Sequence, residues 1–169
     1  QRLRFAAFPY LAGRAPELDD RATLGLLGRT LARMHAIGAR ARFSHRPRLT
    51  LERLGEQARG QVMDSGFVPE ALHEQYARVS EQVIGRVRQV FDGFGSLPSL
   101  RIHGDCHAGN ILWTTDGPHF VDFDDARSGP AVQDLWMLLS GDRADMTRQL
   151  SDVLAGYEDF MDFDRRELH

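Results

Sequence analysis

The chain has 169 residues and a formal charge of −3, from 21 basic and 24 acidic side chains, with 42% apolar and 27% charged residues. This composition excludes disordered, collagen-like and coiled-coil chains. The slightly acidic balance argues against non-specific nucleic-acid binding, and no apolar run approaches the roughly 18–20 residues that cross a bilayer. The length suits one domain or one lobe of a larger protein. Cys106 is the only cysteine, so a disulfide within the chain is impossible and a reducing, cytoplasmic location is expected. Gln1–Arg14 lacks the pattern of a secretory signal. There is no initiator Met, and the chain is expected to begin inside a longer parent that acts as a monomer.

In chain order, Leu3–Phe8 is short and apolar and reads as a buried strand ended by Pro9. Asp19 and Asp20 are N-cap candidates for a helix whose stripe is Leu24, Leu27, Leu31 and Met34, ending near Gly38. A basic stretch follows, Arg40 to Arg48, which reads as a solvated face. Leu51, Leu54, Ala58 and Val62 mark a second helix. Leu72, Tyr76, Val79, Val83, Val87 and Val90 mark a longer third one with a core-facing stripe, ended at Asp92–Gly93. Beyond Pro98 come Leu100–Ile102 and two strand-like runs, Ile111–Thr115 and His119–Phe123, joined by the hairpin signal Asp116–Gly117. Val132, Leu135, Trp136 and Leu139 form one more stripe, and Met146, Leu150, Val153, Tyr157, Phe160 and Met161 another.

The chemistry gathers in Ile102–Asp134. Asn110 stands just before the outgoing strand of the hairpin and Asp122 near the end of the returning one, so an antiparallel pair brings them side by side. An amide oxygen and a carboxylate are hard ligands suited to Mg²⁺. Asp105 lies five residues before Asn110, where a carboxylate can accept a proton from an attacking hydroxyl. Base, Asn and metal-binding Asp are the parts that move a phosphoryl group from Mg·ATP.

His103-Gly104-Asp105-Cys106-His107-Ala108-Gly109-Asn110 resembles the HGDxxxxN loop of the aminoglycoside phosphotransferase and choline kinase families. Val121-Asp122-Phe123-Asp124 resembles their metal-binding strand. HGDCHAGNILW, FVDFDDAR and GPAVQDLWMLL are similar in more detail to a bacterial stress-response branch of Ser/Thr protein kinases. The resemblance implies an α+β fold: the mainly helical C-terminal lobe of a protein-kinase-like fold with a small antiparallel catalytic hairpin, the N-terminal lobe being absent. Residues 1–14 would be the interlobe hinge and 15–169 a partial C-terminal lobe, with catalytic loop 102–110 and metal strand 120–124. It implies ATP and Mg²⁺ as cofactors, Asp105 as catalytic base, and Asn110 and Asp122 as metal ligands. Phe8, Tyr10 or Leu11 would offer a backbone N–H to adenine, because Pro9 has none. The acceptor implied is a protein Ser or Thr. A small alcohol of the aminoglycoside, choline or homoserine kind is the alternative, and a nucleotide-binding pseudokinase or scaffold is the alternative of another class.

The chain contains no Lys, so the phosphate-gripping Lys of such kinases is not in it, and the chain alone is expected to be inactive. Several residues keep two readings. Asp134 either buttresses the catalytic loop or is an ordinary acid at a helix start. Asp124 shares a strand face with Asp122 and either assists the metal or pairs with Arg127. His103 reads as a buried scaffold residue and His107 as a neighbour of the phosphates or acceptor. With Cys106 these histidines also raise a zinc reading, although no further His or Cys cluster supports it. Cys106 itself reads as a small buried apolar residue rather than a redox switch.

Overall fold

The computed structural model describes residues 5–95 and 97–168. Two antiparallel pairs of short strands sit among five α-helices and several short helical turns. Residues 5–13 are irregular, with Phe5, Phe8 and Tyr10 at least 85% exposed, so the expected buried strand does not form there. Leu3 and Arg4, which belonged to that expectation, lie outside the described residues. An apolar run makes a strand only where a neighbour pairs its backbone. The first such pairing comes at Arg14, whose N–H donates to the Trp113 carbonyl (3.0 Å) and whose carbonyl accepts from the Trp113 N–H (2.7 Å).

Helix α1 is Arg21–Gly38, capped by the Asp20 carboxylate, which accepts from the Thr23 N–H. It crosses α5 (Arg143–Tyr157), whose own cap is Asp142. Leu24, Leu27 and Leu31 meet Val153, Leu154 and Tyr157 in the main core, together with Leu100, Ile102, Ile111, Leu135 and Leu138. The helices touch backbone to backbone. A Cβ on Gly28 would stand 2.0 Å from the Val153 carbonyl oxygen, a neighbour that cannot rotate away. Gly28→Ala should therefore force the pair apart and destabilise the protein by about 3 kcal/mol. Gly85, inside α3 (Glu70–Phe94), has nothing within 4 Å of its missing Cβ. Gly85→Ala should stabilise by up to ~1 kcal/mol through helix propensity alone. Thermal unfolding of the two variants side by side checks both.

The second predicted helix forms as a π-helical stretch, Glu52–Gln57, running into α2, Ala58–Asp64. The third is α3, Glu70–Phe94, and its stripe is not core: Leu72, Val79, Val83 and Val90 are exposed and only Ile84 is buried. At ~1.5 Å per residue α3 is roughly 37 Å long and α2 about 10 Å, so α2 can cover only part of one face. No helix among the described residues is long and apolar enough to cross a membrane.

Strand β1 (Leu100–Ile102) pairs antiparallel with β4 (Arg127–Gly129), and β2 (Ile111–Thr114) with β3 (Gly117–Phe120). The second pair is the expected hairpin, turning through Thr115 and Asp116 into Gly117 at φ +106°. Helix α4, Val132–Trp136, is shorter than its stripe suggested. Leu138 and Leu139 donate to the carbonyls three residues back, which tightens the turn, places Leu138 in the core under Leu135 and leaves Trp136 exposed. Phe160 is likewise exposed, because α5 ends at Tyr157.

Candidate active site

The loop that carries Asp105 leaves β1 at Ile102 and enters β2 through a short 3₁₀ turn, Ala108–Asn110. Asn110 is tied to Asp105 twice: its Nδ2 donates to the Asp105 carbonyl (2.9 Å) and to Asp105 Oδ2 (3.0 Å). The second bond fixes the amide, so Asn110 Oδ1 points elsewhere as an acceptor. His107 Nδ1 accepts from the Gly109 N–H (2.9 Å), and its Nε2 stands 3.5 Å from the same Asp105 oxygen. Both neighbours stand at Oδ2.

Asp134 holds this loop from beneath. It is fully buried at the start of α4. Its Oδ2 accepts from the His103 N–H (2.7 Å) and from His35 Nε2 (2.9 Å), and its Oδ1 from the Gly104 N–H (2.8 Å). Of the two readings of Asp134, the geometry is that of the buttress. His35, the last apolar-face residue of α1, meets the Tyr157 hydroxyl with its other nitrogen (2.9 Å). Burial, helped by the Glu167 and Asp134 charges, raises the Tyr157 hydroxyl well above its usual range, so it stays protonated. The chain Tyr157–His35–Asp134 thus links α5, α1 and α4 to the loop.

His103 is a buried scaffold residue as expected: Nε2–H donates to the Val121 carbonyl (2.8 Å) and Nδ1 accepts from the Asp105 N–H (3.3 Å). Gly104 takes φ +86°, and a Cβ there would stand 2.4 Å from the Asp125 carbonyl oxygen. Only glycine lets the Asp105 loop lie this close to the turn beyond β3. Cys106 is fully buried, and burial with the Asp134 and Asp105 charges pushes its thiol far above the ordinary range. The thiolate that a redox switch needs is therefore suppressed. Among the described residues no group of three or more His, Cys, Asp or Glu side chains is placed to hold a metal.

The hairpin brings Asn110 beside the returning chain, where the Val121 N–H donates to the Asn110 carbonyl (3.0 Å). Asp122 comes one residue later. It lies past the end of β3, in the left-handed conformation (φ 61°, ψ 66°), and opens a 3₁₀ turn, Phe123–Asp125. Its expected place near the end of a strand is thus corrected, although its neighbourhood is not. The correction removes the face shared by Asp122 and Asp124, because Asp124 sits inside the turn, where alternation does not apply. Asp125, not Asp124, pairs with Arg127, which also donates from Nε to the Asp125 carbonyl (2.8 Å). Asp122 and Asp124 are exposed. An exposed carboxylate one residue beyond the backbone bond to Asn110, together with a fixed amide oxygen on Asn110, offers the donor types that fit a hard divalent cation completed by phosphate oxygens and water. Phe8, Tyr10 and Leu11 lie exposed on the irregular stretch before Arg14.

Sequence reasoning offered the Asp134 buttress as one of two readings but missed the hydrogen-bonded chain that continues from it through His35 to Tyr157. Its one signal was a His on the apolar face of α1, since a buried ring nitrogen needs a partner. It also placed Arg46 on a solvated face. Arg46 is exposed, yet its Nη1 donates to three carbonyls of the Asp122 turn. Nothing local to the Arg40–Arg48 run announces that contact.

Residues 1–169 match the model of a family described as "Phosphotransferase enzyme family". Stress response kinase A of Escherichia coli K12 is 43% identical over 168 residues, 99% of this chain and 50% of that protein. The serine/threonine protein kinase RdoA of Salmonella typhimurium LT2 is 39% identical over the same length and shares. The chain thus spans about half the length of the curated relatives it matches. Among solved structures, amicoumacin kinase hAmiN in complex with AMP-PNP, Ca²⁺ and Ami superposes with a TM-score of 0.66 at 20% identity, over 92% of this chain and 48% of that one. The chain belongs to the phosphotransferase enzyme family, and its fold is the mainly helical lobe of that family's protein-kinase-like architecture.

Proposed function

We propose that the protein carrying this chain is an ATP- and Mg²⁺-dependent kinase that phosphorylates a hydroxyl, with a protein Ser or Thr as acceptor. The observation that carries the reading is the bonded pair Asp105–Asn110 held against the returning chain at Val121, the residue before Asp122. Asp105 Oδ1 is the oxygen that would orient the acceptor hydroxyl and take its proton, Oδ2 being engaged by Asn110. Asn110 Oδ1 and the Asp122 carboxylate would hold Mg²⁺, with Asp124 near enough in the chain to assist. Mg²⁺, when bound, would neutralise charge on the phosphates. His107, beside Asp105, would face the same space. Asp134 and His103 would keep the loop backbone in place. Residues 1–14 would serve as the hinge between lobes, with a backbone N–H of Phe8, Tyr10 or Leu11 for adenine. A cytoplasmic setting suits the single, buried cysteine.

The Ser/Thr acceptor rests on the 43% and 39% identities to proteins named as stress response and serine/threonine kinases. The test is γ-phosphate transfer by the full-length protein to a generic Ser/Thr protein substrate and, separately, to a panel of small alcohols. Label in protein supports the reading, and label only in a small molecule moves the function to metabolism or resistance. Asp122→Ala should abolish metal-dependent nucleotide binding by the full-length protein. Calorimetry that finds Mg·ATP affinity unchanged would remove Asp122 from the metal site.

A further inference from the structure

The turn that carries Asp122 is weakly self-supported. It begins at the only non-glycine residue with positive φ among those described, a conformation costing on the order of 1–2 kcal/mol. It holds one backbone hydrogen bond of its own, from the Ala126 N–H to the Phe123 carbonyl (3.1 Å). That bond engages only the Phe123 carbonyl from within the turn, and the carbonyls of 124–126 need donors from elsewhere. Two arginines supply them. Arg127 takes the Asp125 carbonyl but lies two residues away, so it travels with the turn. Arg46 comes from the loop after α1, 77–80 residues earlier, and takes the other three: Phe123 (2.8 Å), Asp124 (2.7 Å) and Ala126 (3.2 Å), all from Nη1. The four carbonyls from 123 to 126 thus all lie within hydrogen-bond distance of a guanidinium, the three at Arg46 sharing the two N–H bonds of Nη1.

The loop that presents Arg46 is itself fastened. The Ser128 N–H donates to the Pro47 carbonyl (3.1 Å) and the Leu49 N–H to the Ser128 carbonyl (2.8 Å), so the loop runs parallel along the free edge of β4. The Arg46 guanidinium also lies 5.8 Å from the centre of the Phe43 ring, and Arg101 packs on that ring at 5.6 Å. Arg46 therefore joins the turn to the body of the lobe at a defined height, and its positive charge sits at the negative end of a helical turn.

We propose that Arg46 is a positioning residue for phosphoryl transfer: it clamps the turn so that Asp122 faces Asn110 before any cation arrives. The proposal rests on the metal reading of Asp122 given above. The side chain touches no reacting group and acts through the backbone of 123–126. Without it the turn opens, and metal binding must first repay the cost of closing it.

The test uses the full-length protein and Arg46→Ala, with Arg46→Lys and Asp122→Ala beside it. Hydrogen–deuterium exchange is followed at the amides of 122–127 with no metal or nucleotide present. Mn²⁺ binding is followed by electron paramagnetic resonance with a non-hydrolysable ATP analogue, and the Mg²⁺ dependence of transfer by kinetics. Arg46→Ala should speed exchange in 122–127 alone and weaken Mn²⁺ binding roughly 10–100-fold, as expected for a residue supporting a ligand. The acceptor KM should stay unchanged, and Arg46→Lys should recover part of the loss, since the ammonium keeps charge and donors. Unchanged exchange in the turn overturns the clamp. So does a lowered melting temperature with an unaltered Mn²⁺ affinity, the signature of a purely structural contact. If Asp122→Ala leaves Mn²⁺ binding intact, the metal assignment fails instead, and exchange, which needs no metal, still decides the clamp.

Discussion

Asp105→Asn in the full-length protein should keep nucleotide affinity within about twofold while lowering kcat by roughly 10²–10⁴. The substitution preserves shape. The Asn110 amide already donates to the Asp105 carbonyl (2.9 Å), a bond the new residue leaves in place, and the replacement amide oxygen can turn toward Asn110 in place of Oδ2. That orientation presents an NH₂ group where Oδ1 had stood, and an NH₂ group cannot take a proton from an acceptor hydroxyl. Binding and chemistry should therefore separate in this variant. Single-turnover transfer beside nucleotide titration makes the measurement. A wild-type rate in Asp105→Asn would place the base elsewhere.

Asp134→Ala should cost about 3–5 kcal/mol, the scale for removing one partner of a buried charge network. The His103 N–H, the Gly104 N–H and His35 Nε2 would all lose their acceptor in a region closed to water. An acid that merely favoured a helix start would be worth at most ~1 kcal/mol, so the size of the effect separates the two roles. Melting should fall by ~10 °C, given roughly 2–4 °C per kcal/mol for a chain of this size. Asp134→Asn offers a milder probe. Its single oxygen can serve at most part of the three donors, so stability should fall less while the catalytic loop loosens and transfer suffers. Thermal unfolding of both variants against wild type checks the order. A loss under 1 kcal/mol in Asp134→Ala would return the residue to the helix-acid role.

Much of the site was legible because its signals are local. Asp105 and Asn110 are five residues apart and meet across one turn of chain. The Asp116–Gly117 signal announced the hairpin, and the hairpin alone brings residue 121 beside residue 110. Caps were equally readable: Asp20 starts α1 because its carboxylate reaches an N–H three residues on. The errors came where a local pattern needed a partner to become structure. Among the described residues the apolar run at Phe5–Phe8 has no pairing strand, and the long stripe on α3 is met along only part of its length by the short stretch 52–64. Asp122 was displaced from its expected strand because β3 ends at Phe120, a matter of ladder length that alternation cannot reveal.

The order of residues by itself determined the helical lobe, the hairpin and which three residues, Asp105, Asn110 and Asp122, stand as the candidate trio, because helix periodicity, turn chemistry and short-range spacing act over a few residues. Tertiary structure alone decided what holds that trio. Asp134 reaches His103 and Gly104 from about thirty residues away, and His35 from ninety-nine. Arg46 reaches the Asp122 turn from nearly eighty. Such contacts depend on which helix crosses which. That choice is made by glycine-sized clearances such as the one at Gly28, and by the need of every buried carbonyl and N–H to find a partner.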